Sequence, residues 1–200
     1  KTESEIKDII KDKKTILKKV LDISSDEEID GDFIKSENTE LNKAALQIQK
    51  TVELISKALD NGSTSSDVIQ NKVIETLAKK VESLKDDTSP TLSKVVDETR
   101  KETENTESDL RKLTGVILTT NVTKNIETIS KNIDKAFEEI EKNKETGDSF
   151  EDIVEKVIIV VEEQTSKLEE AIEKNEVTDG FVEELDEDSA ILKKSNRYCK

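Results

Sequence analysis

The chain has no histidine, no methionine and no tryptophan, and it holds one cysteine and one proline in 200 residues. Each absence closes a class of chemistry. Without histidine, the commonest general base and the commonest metal ligand are missing. Cys199 sits next to the last residue, so it forms no internal disulfide, and no imidazole is present to activate it. So thiol-poor a chain fits a secreted or surface protein and a cytosolic one equally. No glycine-rich phosphate loop and no nucleophile elbow is present. Carboxylates are plentiful, but catalytic ones need a shaped, desolvated site, which abundance does not supply. The expectation is a protein that is not an enzyme and carries no cofactor. Aromatics make up 2% of the chain, so a core must be built from Ile, Leu and Val. The longest apolar run, Val157–Val161, is far short of the roughly 20 residues a membrane span needs. No signal peptide is visible, and the lack of any methionine predicts a trimmed or mature segment.

What the chain does have is charge. Charged residues are 40% and apolar residues 32%, against usual shares of about 25% and 45–50%. That balance can signal disorder. Here the apolar residues recur at helical spacing, which predicts long helices with narrow apolar stripes and solvated outer faces. The net charge of −15 argues against nucleic acid and anionic membrane as partners, since phosphate recognition needs concentrated Lys and Arg.

The organising stretch runs from Ser149 to Asn175. Phe150, Val154, Val157, Val161, Gln164, Leu168, Ala171 and Asn175 follow at steps of four and three, and Val157–Val161 predicts a helix buried on several sides. Asp148 with Glu151 reads as its capping box. Ahead of it, a first helix is expected from Glu3 to Ile23 behind a Thr2–Glu5 capping box. A second is expected from Glu37 to Leu59, capped by Ser36, with Leu41, Ala45, Leu46, Ile48, Val52, Ile55 and Leu59 inward. A third, from Asp67 to Lys85 behind Ser66, turns Ile69, Val73, Ile74, Leu77, Val81 and Leu84 inward. Pro90 opens a fourth, whose stripe passes through Thr99, Thr103 and Thr106. So weak a stripe predicts a helix at the edge of the bundle or facing water. Gly115–Thr123 breaks the phase, and a turn is expected before a fifth helix that ends near Lys144. A short last helix is expected to hold Phe181, Val182, Leu185, Ile191 and Leu192. The whole reads as an all-α chain: an elongated antiparallel bundle of five to seven helices with heptad-like seams. It forms a single domain over 1–200, with an acidic linker at 24–35 and a flexible basic tail at 193–200.

Three patterns could carry binding. Lys7, Lys11, Lys14 and Lys18 line one face at helical spacing and suit an acidic protein or a sulfated polysaccharide; the plainer reading is a solvated face balanced by Asp8 and Asp12. Asp26, Glu28, Asp30, Gly31 and Glu37 fall at positions one, three, five, six and twelve of a calcium-loop pattern, with Glu at the third position and no apolar anchors, so a solvated acidic linker is the competing reading. Asn61-Gly62-Ser63 and Asn121-Val122-Thr123 are glycosylation acceptors if the chain passes a eukaryotic secretory route.

In texture, DKAFEEIEKNKETGDSFEDIVEKV and LNKAALQIQKTVELISKALDNG, rich in Ile, Lys, Glu and Asn, resemble the helical outer-surface lipoproteins of Lyme and relapsing-fever spirochaetes. The resemblance implies an extracellular or outer-surface protein, with a lipid anchor in the full-length form, that binds host proteins such as complement components or matrix molecules. It assigns no functional residues. The expected function is therefore a non-enzymatic surface or secreted protein that binds a partner protein and is itself a monomer or weak oligomer. The alternatives are a structural or self-assembling coiled coil, and a carrier of an apolar ligand within the bundle.

Overall fold

A computed structural model describes residues 3–24, 37–143, 148–186 and 188–195, with side chains from Lys11 to Lys193 within those ranges. The chain is all-α. Eight helices are described: α1 (Glu3–Val20), α2 (Thr39–Ala58), α3 (Ser66–Ser83), α4 (Leu92–Glu104), α5 (Asp109–Thr114), α6 (Thr120–Lys142), α7 (Phe150–Glu173) and α8 (Ala190–Ser195). The last of these places Lys193–Ser195 of the expected tail in a helix. Residues 25–36 and the Thr2–Glu5 box lie outside the described residues, apart from the backbone of Glu3–Glu5.

The packing centre is a pair rather than one helix. α6 and α7 make the most extensive contact, α2 lies against both, and α3 and α4 complete the core, α3 against α2 and α4 against α6. The stripe expected in α7 is buried from Val157 through Val161, Gln164, Leu168 and Ala171. One apolar cluster joins Leu54 and Ile55 of α2, Ile69 of α3, Val96 of α4, Ile133 and Phe137 of α6 and Val160 of α7. A smaller one gathers Ile23, Leu41 and Ala44.

Several helix starts differ from expectation by a residue or two, because the cap is chosen by backbone geometry and not by composition. α7 is capped by Ser149, whose Oγ accepts from Asp152 N (3.2 Å) while Asp152 Oδ2 accepts from Ser149 N (2.7 Å). Asp148 instead takes the Lys156 ammonium at 2.7 Å. Asn38 caps α2, Ser65 precedes α3, and α4 opens at Leu92 behind a Thr91 cap, two residues after Pro90.

The expected fourth helix is broken. Asn105–Ser108 separates α4 from α5, and Ser108 Oγ both accepts from Arg111 N and donates to Glu102 O. Gly115 then ends α5 in the left-handed region (φ +67), where glycine carries no Cβ penalty. The expected turn follows, and Thr119 caps α6. The threonine stripe of α4 is not at a wet edge. Thr99 and Thr103 are fully buried, their hydroxyls satisfied by Val95 O (2.8 Å) and Arg100 O (2.6 Å). Ile48, Ile74 and Ile158, all expected inward, are exposed.

The largest departure is at the C-terminal end. Phe181, Val182 and Leu185 are not helical. Residues 177–186 leave α7 as a non-helical strap that runs back along α7 and parallel to α6, with a turn at its start where Phe181 N donates to Thr178 O (3.4 Å) and Gly180 sits at φ +69; among the described residues beyond it α8 is helical. A segment outside helix and sheet leaves most of its backbone groups without internal partners, and these must be found elsewhere. They are found on asparagine side chains of α6.

Candidate functional site

Of the expected basic row, Lys11 is exposed on α1, and Lys14 and Lys18 are half-buried. The side chain of Lys7 lies outside the described ones. Between them Lys13 reaches Glu82 of α3 at 3.4 Å, in line with the packing of α1 on α3. Both partners of that pair are largely exposed, so it contributes little to stability.

At the C-terminal end of α1 a cleft of about 640 Å³ opens between α1, α2, α4 and α6. Its floor is apolar, with Leu21, Leu92, Val96 and Ile126. Its rim carries Asp22, Glu40, Glu127 and Asp134 against Lys43 and Lys131. Asp22 closes α1 at φ +54, and the next turn is tied to α2 by Ser24 N donating to Glu40 Oε2 (2.9 Å). On the opposite wall Gln47 Nε2 donates to Ser130 O and to Asp134 Oδ2, both at 3.1 Å. Loss of hydration pushes the Asp134 carboxyl above its ordinary value, and the Asp22 charge adds to this. Lys43 and the Gln47 amide pull the other way without prevailing. The cleft thus offers an apolar floor and a poorly hydrated carboxylate that accepts from a neutral amide. That arrangement can hold a cationic group.

The other unusual charges are structural. Lys50 of α2 is buried, with its ammonium 2.6 Å from Glu162 of α7 and 2.7 Å from Glu53. Burial acts to lower its pKa, but the hydrogen bonds it donates to Glu162 and Glu53, with their charges, outweigh it, and the net direction is up. Glu169, near the same seam, is pushed up by burial and then by the Glu53 charge. Lys57 pairs with Glu173 further along. Pairing in the order Lys50–Glu162, Lys57–Glu173 sets α2 parallel to α7. Ile158 stands one turn before Glu162 on the same side of α7, whereas Ile48 stands about 200° round α2 from Lys50 and so faces away from α7.

Among the described residues no group of three or more acidic or thiol side chains is placed to hold a metal ion, and of the calcium-loop pattern only Glu37 is described. No helix among them is long and apolar enough to cross a membrane. Both acceptor asparagines have their amide nitrogens in use: Asn61 Nδ2 donates to Thr114 O (2.9 Å) and Asn121 Nδ2 to Val177 O (3.1 Å). Sequence reasoning missed the asparagines of α6. Their signal was Asn121, Asn125 and Asn132, polar amides at steps of four and seven on a helix whose Ile126, Ile129 and Ile133 are core.

Comparison with known proteins gives no match: no family model fits the chain, and neither a curated protein nor a solved structure is significantly similar to it.

Proposed function

We propose that this chain is a non-enzymatic binding protein of the cell surface or secreted space, engaging a partner protein through an exposed helix face. The observation that supports it is exposed apolar surface on α7 and on α2. Ile158 is 40% exposed in the most apolar stretch of the chain, and Ile48 of α2 is 36% exposed. In a chain with 40% charged residues, large apolar side chains left in water are an expected feature of a docking surface. The basic row of α1, Lys7, Lys11, Lys14 and Lys18, is a second candidate contact for an acidic partner. The location rests on the resemblance to spirochaete surface lipoproteins.

The test is capture from serum or host extract with the parent chain and with the Ile48→Glu, Ile158→Glu double variant, read by mass spectrometry. A protein enriched on the parent and lost on the variant is the expected result. Equal recovery on both, or no enrichment on either, overturns the assignment of this surface. The cleft beside α1 favours a second reading, a carrier of a small ligand with an apolar body. Organic extraction of the purified protein followed by mass spectrometry tests it, and an empty extract counts against it.

A further inference from the structure

The strap is held by side chains that read backbone. Asn121 Nδ2 donates to Val177 O (3.1 Å) and Asn125 Nδ2 to Thr178 O (2.8 Å), while Asn125 Oδ1 accepts from Val182 N (2.7 Å). Asn132 repeats the device, its Nδ2 donating to Glu183 O (2.9 Å) and its Oδ1 accepting from Leu185 N (2.8 Å). Gln164 of α7 accepts from Asn132 Nδ2 (3.0 Å) and donates to Glu183 O (3.4 Å). A primary amide carries a donor and an acceptor side by side: Asn132 uses them on Glu183 O and Leu185 N, two residues apart as a strand edge would, and Asn125 uses them on Thr178 O and Val182 N, across the turn between those residues. Asn125 and Asn132 are each 1% exposed, so these are built-in partners and not surface contacts. Side-chain selection is added at three points. Val182 is buried in the groove, Lys124 meets Asp179 at 2.9 Å, and Lys131 meets Glu184 at 3.6 Å.

We infer that the α6–α7 groove is a receptor for a non-helical acidic segment, filled in cis by residues 177–185, and that its occupant in trans is the same segment of a second copy of this chain. Every contact just described joins the strap to α6 or α7, so reciprocal exchange between two copies reproduces all of them. What differs between cis and trans is the hinge. It is one tight turn: Asn175 sits at φ +55, Asn175 N donates to Ile172 O (3.0 Å), and Glu176 N donates to Ala171 O (2.8 Å). A tether this short gives the cis strap an effective concentration of roughly millimolar, so the closed monomer prevails in dilute solution and exchange grows with local crowding. This inference stands on the groove alone and holds whether or not Ile48 and Ile158 engage a partner protein.

The test uses the full chain with residues 175–176 deleted. Without the turn the strap cannot reverse onto its own α6, and it must take a partner's groove. Sedimentation at about 10 µM, well below the effective concentration of the tether, is expected to show a dimer where the parent is a monomer. Adding Asn125→Ala and Asn132→Ala is expected to weaken that dimer at least tenfold. A synthetic peptide of residues 176–190 is expected to dissociate it where a scrambled peptide does not. A helical variant that stays monomeric overturns the proposal, as does a dimer indifferent to both the asparagine changes and the peptide. If the deletion costs the fold, the parent decides: saturable uptake of the labelled 176–190 peptide at millimolar concentration, reduced by Asn132→Ala, supports exchange, and no uptake overturns it.

Discussion

α4 and α7 reverse the order in which their sequences would rank them. α7 contains the most apolar run in the chain, yet Ile158 in the middle of that run is 40% exposed. α4 has a stripe of threonines, yet Thr103 has no exposed surface at all. The reason is phase. A helix packed on two neighbours buries about half its circumference, so five consecutive apolar residues must leave some outside, and Ile158 falls on that side. Threonine enters the core of α4 because its hydroxyl has local partners. Thr103 Oγ1 donates to Arg100 O and accepts from Leu118 N (2.9 Å), and so holds the extended chain after Gly115 against α4. Position in the helical repeat decides burial, and polarity decides only what must be satisfied once buried.

The largest effect is expected where apolar burial is complete. Leu168→Ala in α7 should lower stability by about 2–5 kcal/mol through lost burial and a cavity, measured as a shifted midpoint with unchanged slope in urea. A loss below about 1 kcal/mol would show that α7 is not at the packing centre.

Thr103→Val comes next and sharpens the comparison, because it adds apolar surface and removes an acceptor. If the hydroxyl matters for the Leu118 N–H it accepts from, the variant loses about 1–2 kcal/mol despite its extra methyl. A more stable variant would show that Leu118 N–H is satisfied some other way.

Asn132→Ala has a smaller effect. It leaves the part-buried Leu185 N–H without its acceptor, while Glu183 C=O keeps only the longer bond from Gln164, at a cost of about 1 kcal/mol. Amide exchange at Leu185 should rise sharply while exchange at α2 amides stays slow. Unchanged exchange at Leu185 would mean that the asparagine does not hold the strap.

Much of this was legible in the sequence and some was not. The stripe from Val157 to Ala171, the break at Gly115 and the all-α class follow from spacing and from one glycine. Cap positions drifted because Asp148, Ser149, Glu151 and Asp152 all suit a helix start, and only backbone geometry separates Ser149–Asp152 from its neighbours. The strap was misread because Phe181, Val182 and Leu185 fit one face of a helix. So short a helix is marginal by itself, and the asparagines of α6 offered its backbone better partners. The cleft beside α1 was invisible because its lining comes from four helices whose relative placement no local pattern encodes.

The smallest effect concerns pH. Asp134 has its carboxyl raised by burial, so ionisation opposes folding at neutral pH. That penalty is relieved as pH falls through the raised folded value and is gone below the unfolded value of about 3.9. Asp134→Asn should therefore be slightly more stable than the parent at pH 7, with the difference closing toward pH 4. A parent more stable than the variant at pH 7 would mean that the Lys43 charge dominates the site.

The comparison between α4 and α7 reduces to one paired measurement, urea unfolding of Thr103→Lys and Ile158→Lys under identical conditions. A lysine at 103 puts an unpaired charge into the core and should lower stability by about 3–5 kcal/mol. A lysine at 158 can keep its ammonium in water and should lower it by about 1 kcal/mol or less. The reverse order, a tolerated lysine at 103 and a ruinous one at 158, would contradict the account and put Ile158, not Thr103, in the core.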